Sequence, residues 1–257
     1  MQPQTPCPIV RNLLTNGLYE VFVATNERGP IFDDNITFSA TRSLYFVPGV
    51  SALGRYVGKG NNNQSTSVKT RRQQTFSASQ SSSRLVAITP QIAPTAIAGV
   101  VKSGTYQQPI SIGNGTNARI CSAYHMSGGT LTAYISDTDD VVVGETYRVV
   151  SVYRNGVGFE LYINGRFVGE YADTRNLAAT DSSAAWMSFA GIGLGASWSR
   201  ALTHDEALSL SANPWSIFAP QISFVPTSIT ASGTPTLTDP GWTISGNQFT
   251  PRGTYTF

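Results

Sequence analysis

The sequence predicts an all-β protein: an antiparallel β-sandwich with one short helix near 203–212 and a small C-terminal β extension. Three observations predict it. Apolar and polar residues alternate at every second position through many short runs. Turn pairs such as Asn-Gly and Gly-Gly separate those runs at intervals of about 8–12 residues. Only RALTHDEALSLSANPWSIFAP, residues 200–220, carries helix signals.

The composition suits that class. The 257 residues are 40% hydrophobic, enough for a core, and only 12% charged, about half the usual share. Glycine (24), proline (14) and abundant Ser, Thr and Asn take the place of charge. A net charge of +2 provides no field that would draw the chain to nucleic acid or an anionic membrane. No apolar run approaches the roughly 18 residues of a membrane span. The opening MQPQTPCPIVRNLL lacks the basic-then-apolar pattern of a secretory signal. Cys7 and Cys121 match no metal or redox spacing and read as free thiols, a single bridge between them being the alternative.

Taken in order, GLYEVFVAT (17–25), NITFSAT (35–41) and SLYFVPG (43–49) read as strands. Residues 58–83 are polar and nearly low in complexity, and read as a solvated loop or extended edge. Within them Lys69, Arg71 and Arg72 could touch an acidic partner. Strand-like runs follow at 96–104, 108–115, 118–126 and 130–136. Residues 145–171 give a three-stranded meander. In it Tyr147, Val149, Ser151 and Tyr153 share one face, and Asn155-Gly156 and Asn164-Gly165 supply the turns. WMSFAGIGLGASWSR (186–200) reads as one further strand. The domain reading is a sandwich over 1–220 and a β arm over 221–257. About 37 residues are too few to bury a core alone, so the arm docks on its own domain or on a neighbour.

For the helix, Thr203 is the N-cap and Glu206 completes a capping box. Leu202 and Ala207 occupy the hydrophobic-staple positions. Ala207, Leu208, Leu210 and Ala212 form the apolar stripe, and Pro214 ends the helix through its restriction of Asn213. Three turns are not stable alone, so the stripe must cover something; the expectation is a lid over one end of the sandwich. Trp215, Ile217 and Phe218 would anchor the exit.

Two of these segments carry a family resemblance. YRVVSVYRNGVGFELYINGRFVGEY resembles the paired strands of concanavalin A-like, laminin-G/pentraxin-type domains. GASWSRALTHDEALSLSANPWSIFAP resembles the segment that closes such domains, and its Asn-Pro-Trp ending is similar to the form met in lectin-like domains of tailed-phage virion proteins. PIVRNLLTNGLYEVFVA is similar to their opening strand. The resemblance frames residues from about 6 to 220 and implies a jelly-roll sandwich.

Catalytic constellations are missing from the sequence. Glycosidases on this scaffold need paired carboxylates on one strand, and no such run occurs. Glu160 and Glu170 read as isolated, solvent-facing charges. No nucleophile elbow or metalloprotease motif is present, and the Gly191–Gly195 run lacks the helix that a phosphate loop requires. The acidic clusters Asp33, Asp34, Asn35 and Asp137, Asp139, Asp140 read as turn formers, with no metal and no cofactor assigned. Tyr106, Tyr124, His125 and Tyr134 are the candidates for contact with a glycan or partner.

The resemblance and these absences together give the functional expectation. It is a non-enzymatic structural protein of a tailed-phage particle, a head decoration protein attached to other capsid subunits. The alternative is a tail or baseplate module that binds a host surface glycan. The partners expected are other virion proteins and further copies of the same chain, with a glycan in the alternative, and assembly in the host cytoplasm.

Overall fold

A computed structural model describes residues 14, 16–23, 36–39, 44–47, 55–58, 67–70, 77–90, 93, 98–103, 107–128, 132–178, 185–187, 191–218, 242–245 and 248–251. The chain divides into two compact units, Met1–Gln221 and Ile222–Phe257. The first contains β1 (Leu18–Val23), β2 (Ile36–Ser39), β3 (Leu44–Val47), β4 (Arg55–Gly58), β5 (Ser67–Thr70), β6 (Ser82–Ile88), β7 (Ala98–Ser103) and β8 (Gln107–Ile112). It continues with β9 (Arg119–His125), β10 (Thr132–Asp140), β11 (Tyr147–Arg154), β12 (Gly158–Ile163), β13 (Arg166–Ala172), β14 (Ala185–Met187), β15 (Ile192–Trp198) and helix α1 (His204–Ala212). In the second unit, β16 (Trp242–Ser245) and β17 (Gln248–Pro251) pair as an antiparallel ribbon. Among the described residues no helix is long and apolar enough to cross a membrane.

The first unit is built from two antiparallel sheets. One runs β13-β12-β11-β6-β15-β4-β3, with β1 also paired to β15; the other runs β10-β9-β8-β7-β14-β5-β2. Alternation along β11 shows how they pack. Val149 and Tyr153 join Ile110, Ile112, Ile120, Tyr124 and Phe159 in the core between the sheets, whereas Val150 and Val152 belong to a second core. Polar groups link the sheets through the first core: Ser151 Oγ on β11 lies 2.9 Å from Ser122 Oγ and 3.1 Å from the Tyr124 hydroxyl, both on β9. Buried hydroxyls are tolerated there because each finds a partner.

The second core corrects the expected position of the helix. Ala207 and Leu210 pack with Leu85, Val150, Val152, Tyr162, Leu194 and Trp198 on the outer face of the β11–β6–β15 sheet. The helix therefore forms a third layer on a sheet face, not a lid on one end. The capping box is present: Thr203 accepts from the Glu206 amide, and the Glu206 carboxylate accepts from the Thr203 amide. Ser211 takes the buried place expected of Ala212. Asn213 then caps a 3-10 turn, Pro214–Ile217, in which Ile217 is buried but Trp215 stays 36% exposed against Phe218.

Other expectations are also revised. The polar stretch 58–83 contains β5, which lies between β14 and β2, and the start of β6, which lies between β11 and β15. Ser82, Ser83 and Arg84 are buried there, and Arg84 Nη1 donates to the Ser83 carbonyl at 3.1 Å. The run 186–200 is two strands, β14 in one sheet and β15 in the other. In the meander, the loop after Arg154 has three residues, with positive φ at Gly156 alone of Asn155 and Gly156. The Asn164-Gly165 turn is the tight one, with φ of 51° and 78°.

Candidate functional site

A pocket of about 400 Å³ opens at one rim of the sandwich, where the strand ends of β10, β11, β12 and β13 meet. Its floor is apolar: Ile120, Val141 and Ile163 are core residues that reach the opening. Its walls are polar, formed by Asp137, Asp139 and Asp140 at the end of β10, Tyr147 at the start of β11, and Asn164 and Arg166 from the β12–β13 turn. Val142, 52% exposed, completes the lip.

Local chemistry fixes these walls. Asn164 takes the left-handed conformation that the tight turn requires, and its Oδ1 accepts from the Arg148 amide at 2.9 Å. The Tyr147 hydroxyl accepts from the Val142 amide at 2.8 Å, pinning the loop that follows β10. Arg166 reaches from β13 to Asp137 on β10, joining the two sheets with a 2.7 Å contact from Nη2 to Oδ1. That same Oδ1 accepts from the Thr138 amide at 2.8 Å. Asp140 pairs with Arg119 at 3.3 Å. Asp139 has no ion pair among the described residues.

The three aspartates expected to be turn formers thus line a cavity. Among the described residues no group of three or more His, Cys, Asp or Glu side chains is placed to hold a metal ion. Asp33, Asp34 and Asn35 lie outside the described residues.

A second polar cluster sits on the outer face of the helix-bearing sheet. Glu160 and Glu170 are direct cross-strand partners, and Glu160 is neither isolated nor solvent-facing. Arg154 grips both of its oxygens, at 3.0 and 3.2 Å, and the Tyr162 hydroxyl donates to Oε2 at 2.6 Å. Burial alone would raise the Glu160 pKa, but the hydrogen bonds from Arg154 and Tyr162 hold it below the usual carboxylate value. Since the Tyr162 proton goes to Glu160, His204 Nδ1, 3.0 Å away, donates to the Tyr162 oxygen. The rings of Tyr162, Phe167 and His204 pack together with centroids 5.3–5.4 Å apart. With both oxygens of its carboxylate engaged, this cluster ties the sheet to the residue before the helix cap; Arg154 also donates to the Leu202 carbonyl at 2.6 Å.

The residues singled out from sequence are dispersed. Tyr124 is fully buried, stacked on Tyr153 and tilted against Phe159, and offers no surface to a ligand. His125 is half-buried at the end of β9 and Tyr134 is 53% exposed on β10. Neither lines the rim pocket. Tyr106, Arg71 and Arg72 lie outside the described residues, as does the Lys69 side chain, although its backbone belongs to β5. Cys121 is a free, buried thiol whose pKa burial raises, and Cys7 lies outside the described residues. Sequence reasoning missed Tyr147, Asn164 and Arg166. The signal available was the Asn164-Gly165 turn, which places both flanking side chains at a strand end.

No protein-family model and no curated protein sequence matches the chain. Among solved structures it is similar to the binding domain of Paraclostridial Mosquitocidal Protein 1, at 12% identity and a TM-score of 0.57, over 77% of this chain and 52% of that one. It is similar to the binding domain of botulinum neurotoxin serotype D/C, at 10% identity and a TM-score of 0.54, with the same coverage of 77% and 52%. The third is domain 4 of AbnA, an extracellular GH43 arabinanase from Geobacillus stearothermophilus solved with arabinotriose. There the identity is 14% and the TM-score 0.50, over 76% of this chain and 98% of that domain. The chain spans about half the length of the toxin domains it matches. The likeness is one of fold, and the class it defines is the antiparallel β-sandwich.

Proposed function

We propose that this chain is a non-enzymatic binding module of a tailed-phage particle, recognising carbohydrate on a host surface from a tail or baseplate position. The observation that carries the carbohydrate reading is the rim pocket. An apolar floor ringed by carboxylate, amide and guanidinium groups suits a ligand with hydroxyls at its edge and C–H bonds on its face. The fold likeness to an arabinanase domain solved with arabinotriose supports the same reading. The particle assignment rests on the resemblance of the Asn213-Pro214-Trp215 ending to phage lectin-like domains. Binding without turnover is supported by the way Glu160 and Glu206 are committed to Arg154 and Arg200.

A second reading, decoration of the phage head through contacts with capsid subunits, is favoured by the exposed edge strand β13. Among the described residues it ends its sheet, and it presents Phe167 and Tyr171, 40% and 38% exposed. An unpaired edge with apolar side chains is a surface that another chain can extend. A glycan array on the full chain, paired with cryo-electron microscopy of particles, separates the readings. Saturable binding to one glycan class with density at the tail supports the first. Silence across the array with density on the capsid shell replaces it with the second.

A further inference from the structure

We infer that the rim pocket takes a neutral, polyhydroxylated sugar residue and excludes anionic sugars, Asp137 and Asp139 being the acceptors and Arg166 the donor. This inference rests on the carbohydrate reading above and gives that reading a site and a ligand class.

The argument starts from Asp137. The residue is 94% buried, being 6% exposed, yet it lines the pocket. Both of its hydrogen bonds, from Arg166 Nη2 and from the Thr138 amide, fall on Oδ1. Oδ2 has no hydrogen-bond partner among the described residues. That oxygen is not among the buried atoms left without a partner, so it is open to the pocket, where a ligand hydroxyl can donate to it. Asp139, exposed and without an ion pair among the described residues, stands on the same wall and can accept from a second hydroxyl.

Arg166 sets the opposite polarity. Its Nη2 is spent on Asp137, but the side chain is 52% exposed and carries further N–H groups able to donate to a ring or hydroxyl oxygen. Held from both sides, a vicinal diol is oriented, while Ile163, Val141 and the exposed Val142 meet the C–H face of the ring.

Charge selects the class. The lining residues include three carboxylates and one guanidinium, and the additional pairing of Asp140 with Arg119 still leaves Asp139 uncompensated among the described residues. A carboxylated or phosphorylated sugar would place like charge against Asp137 and Asp139 in a partly desolvated cavity, which is unfavourable. A neutral residue pays no such penalty.

The test is a titration of the isotopically labelled full chain, followed by amide NMR shifts. The probes are methyl glycosides of glucose, galactose and arabinose, with sialyllactose as the anionic probe and calcium chloride as the cation probe. The expected result is saturable shifts for at least one neutral glycoside, centred on residues 137–142 and 163–166. Asp139→Ala should weaken that binding by about tenfold or more, with its melting temperature unchanged because Asp139 is exposed and holds no ion pair among the described residues. Val142→Lys, on the lip, should weaken it as well. Binding of a neutral sugar that leaves these residues unshifted and survives Asp139→Ala overturns the site but leaves the carbohydrate reading standing. Sialyllactose binding at the pocket overturns the ligand class, and calcium shifting the same amides overturns the sugar in favour of a cation. Absence of any sugar binding, together with silence on the glycan array, overturns both.

Discussion

The Tyr162 hydroxyl donates a 2.6 Å hydrogen bond to Glu160 Oε2, and Arg154 holds both oxygens of the same carboxylate. Because this network lies between the sheet and the Leu202 carbonyl just before the helix, it couples the ionisation of one glutamate to the docking of α1. Glu206 is arranged in parallel. Burial would raise its pKa, but hydrogen bonds from Arg200 and the Thr203 amide hold it below the usual value.

The pH dependence of stability follows from these two shifts. A carboxylate with a depressed folded-state pKa contributes stability that is fully present above its unfolded value, near 4.5, and is lost as pH falls through the folded value. Melting temperature should therefore drop as pH is lowered below about 4.5. Glu160→Gln should be less stable than the parent at neutral pH and should show a shallower acid limb. Thermal melts of both proteins across this range check it. An unchanged acid limb in the variant would assign the effect to other carboxylates.

The helix cap has its own signature. Thr203→Ala removes the acceptor for the Glu206 amide and should cost about 1 kcal/mol by chemical denaturation, with Thr203→Ser recovering most of it. Arg200 adds to the cap by gripping both Glu206 oxygens, at 2.6 and 2.8 Å, while its Nε donates to the Asn16 carbonyl at 2.7 Å. Arg200→Met should consequently loosen two places at once, the helix start and the segment before β1. Hydrogen exchange would show faster amide exchange at both.

Trp198 pins the N-terminal segment through a 2.6 Å bond from its indole Nε1 to the Leu14 carbonyl, both residues being buried. Trp198→Phe keeps most of the ring contact but leaves that carbonyl without its donor, at a cost of about 1–3 kcal/mol. Denaturation midpoints measure the loss, and limited proteolysis should cut first near residue 14.

Among the glycines described, Gly158 meets the closest obstruction to a side chain. Its φ is 136°, and an added Cβ would overlap the Tyr171 carbonyl oxygen on the paired strand. Gly158→Ala should disrupt the β12–β13 pairing and sharply lower the yield of folded protein, whereas Gly156→Ala in the preceding loop, with open space around it, should cost only its backbone strain. Comparing the circular dichroism melts of the two variants decides the matter.

Where a signal was local, the amino-acid order revealed it. The strands over residues 147–163 and the Asn164-Gly165 turn were readable because runs of β-branched and aromatic residues flank Asn-Gly turn pairs, a signal that survives although β11 is buried on both faces. The Thr203–Glu206 capping box was readable because all of its partners lie within four residues. Strand β6 was hidden for the opposite reason. Ser82–Ile88 is buried on both faces, one against the second sheet and the other against the layer that includes α1, so no alternation survives and its opening serines mimic a loop. The run 186–200 concealed a passage between sheets, since strand propensity does not tell which sheet a strand joins.

By itself, then, the sequence determined an antiparallel sandwich, its central meander and one capped helix. Those features follow from hydrogen bonds and side-chain spacing within a few residues. Only the tertiary structure decided that the helix covers a sheet face, that Glu160 is held by Arg154 and Tyr162, and that Asp137 meets Arg166 at the rim of a pocket. Each of these depends on strand ends far apart along the chain arriving at one place, and that meeting is fixed by the register and stacking of two sheets together.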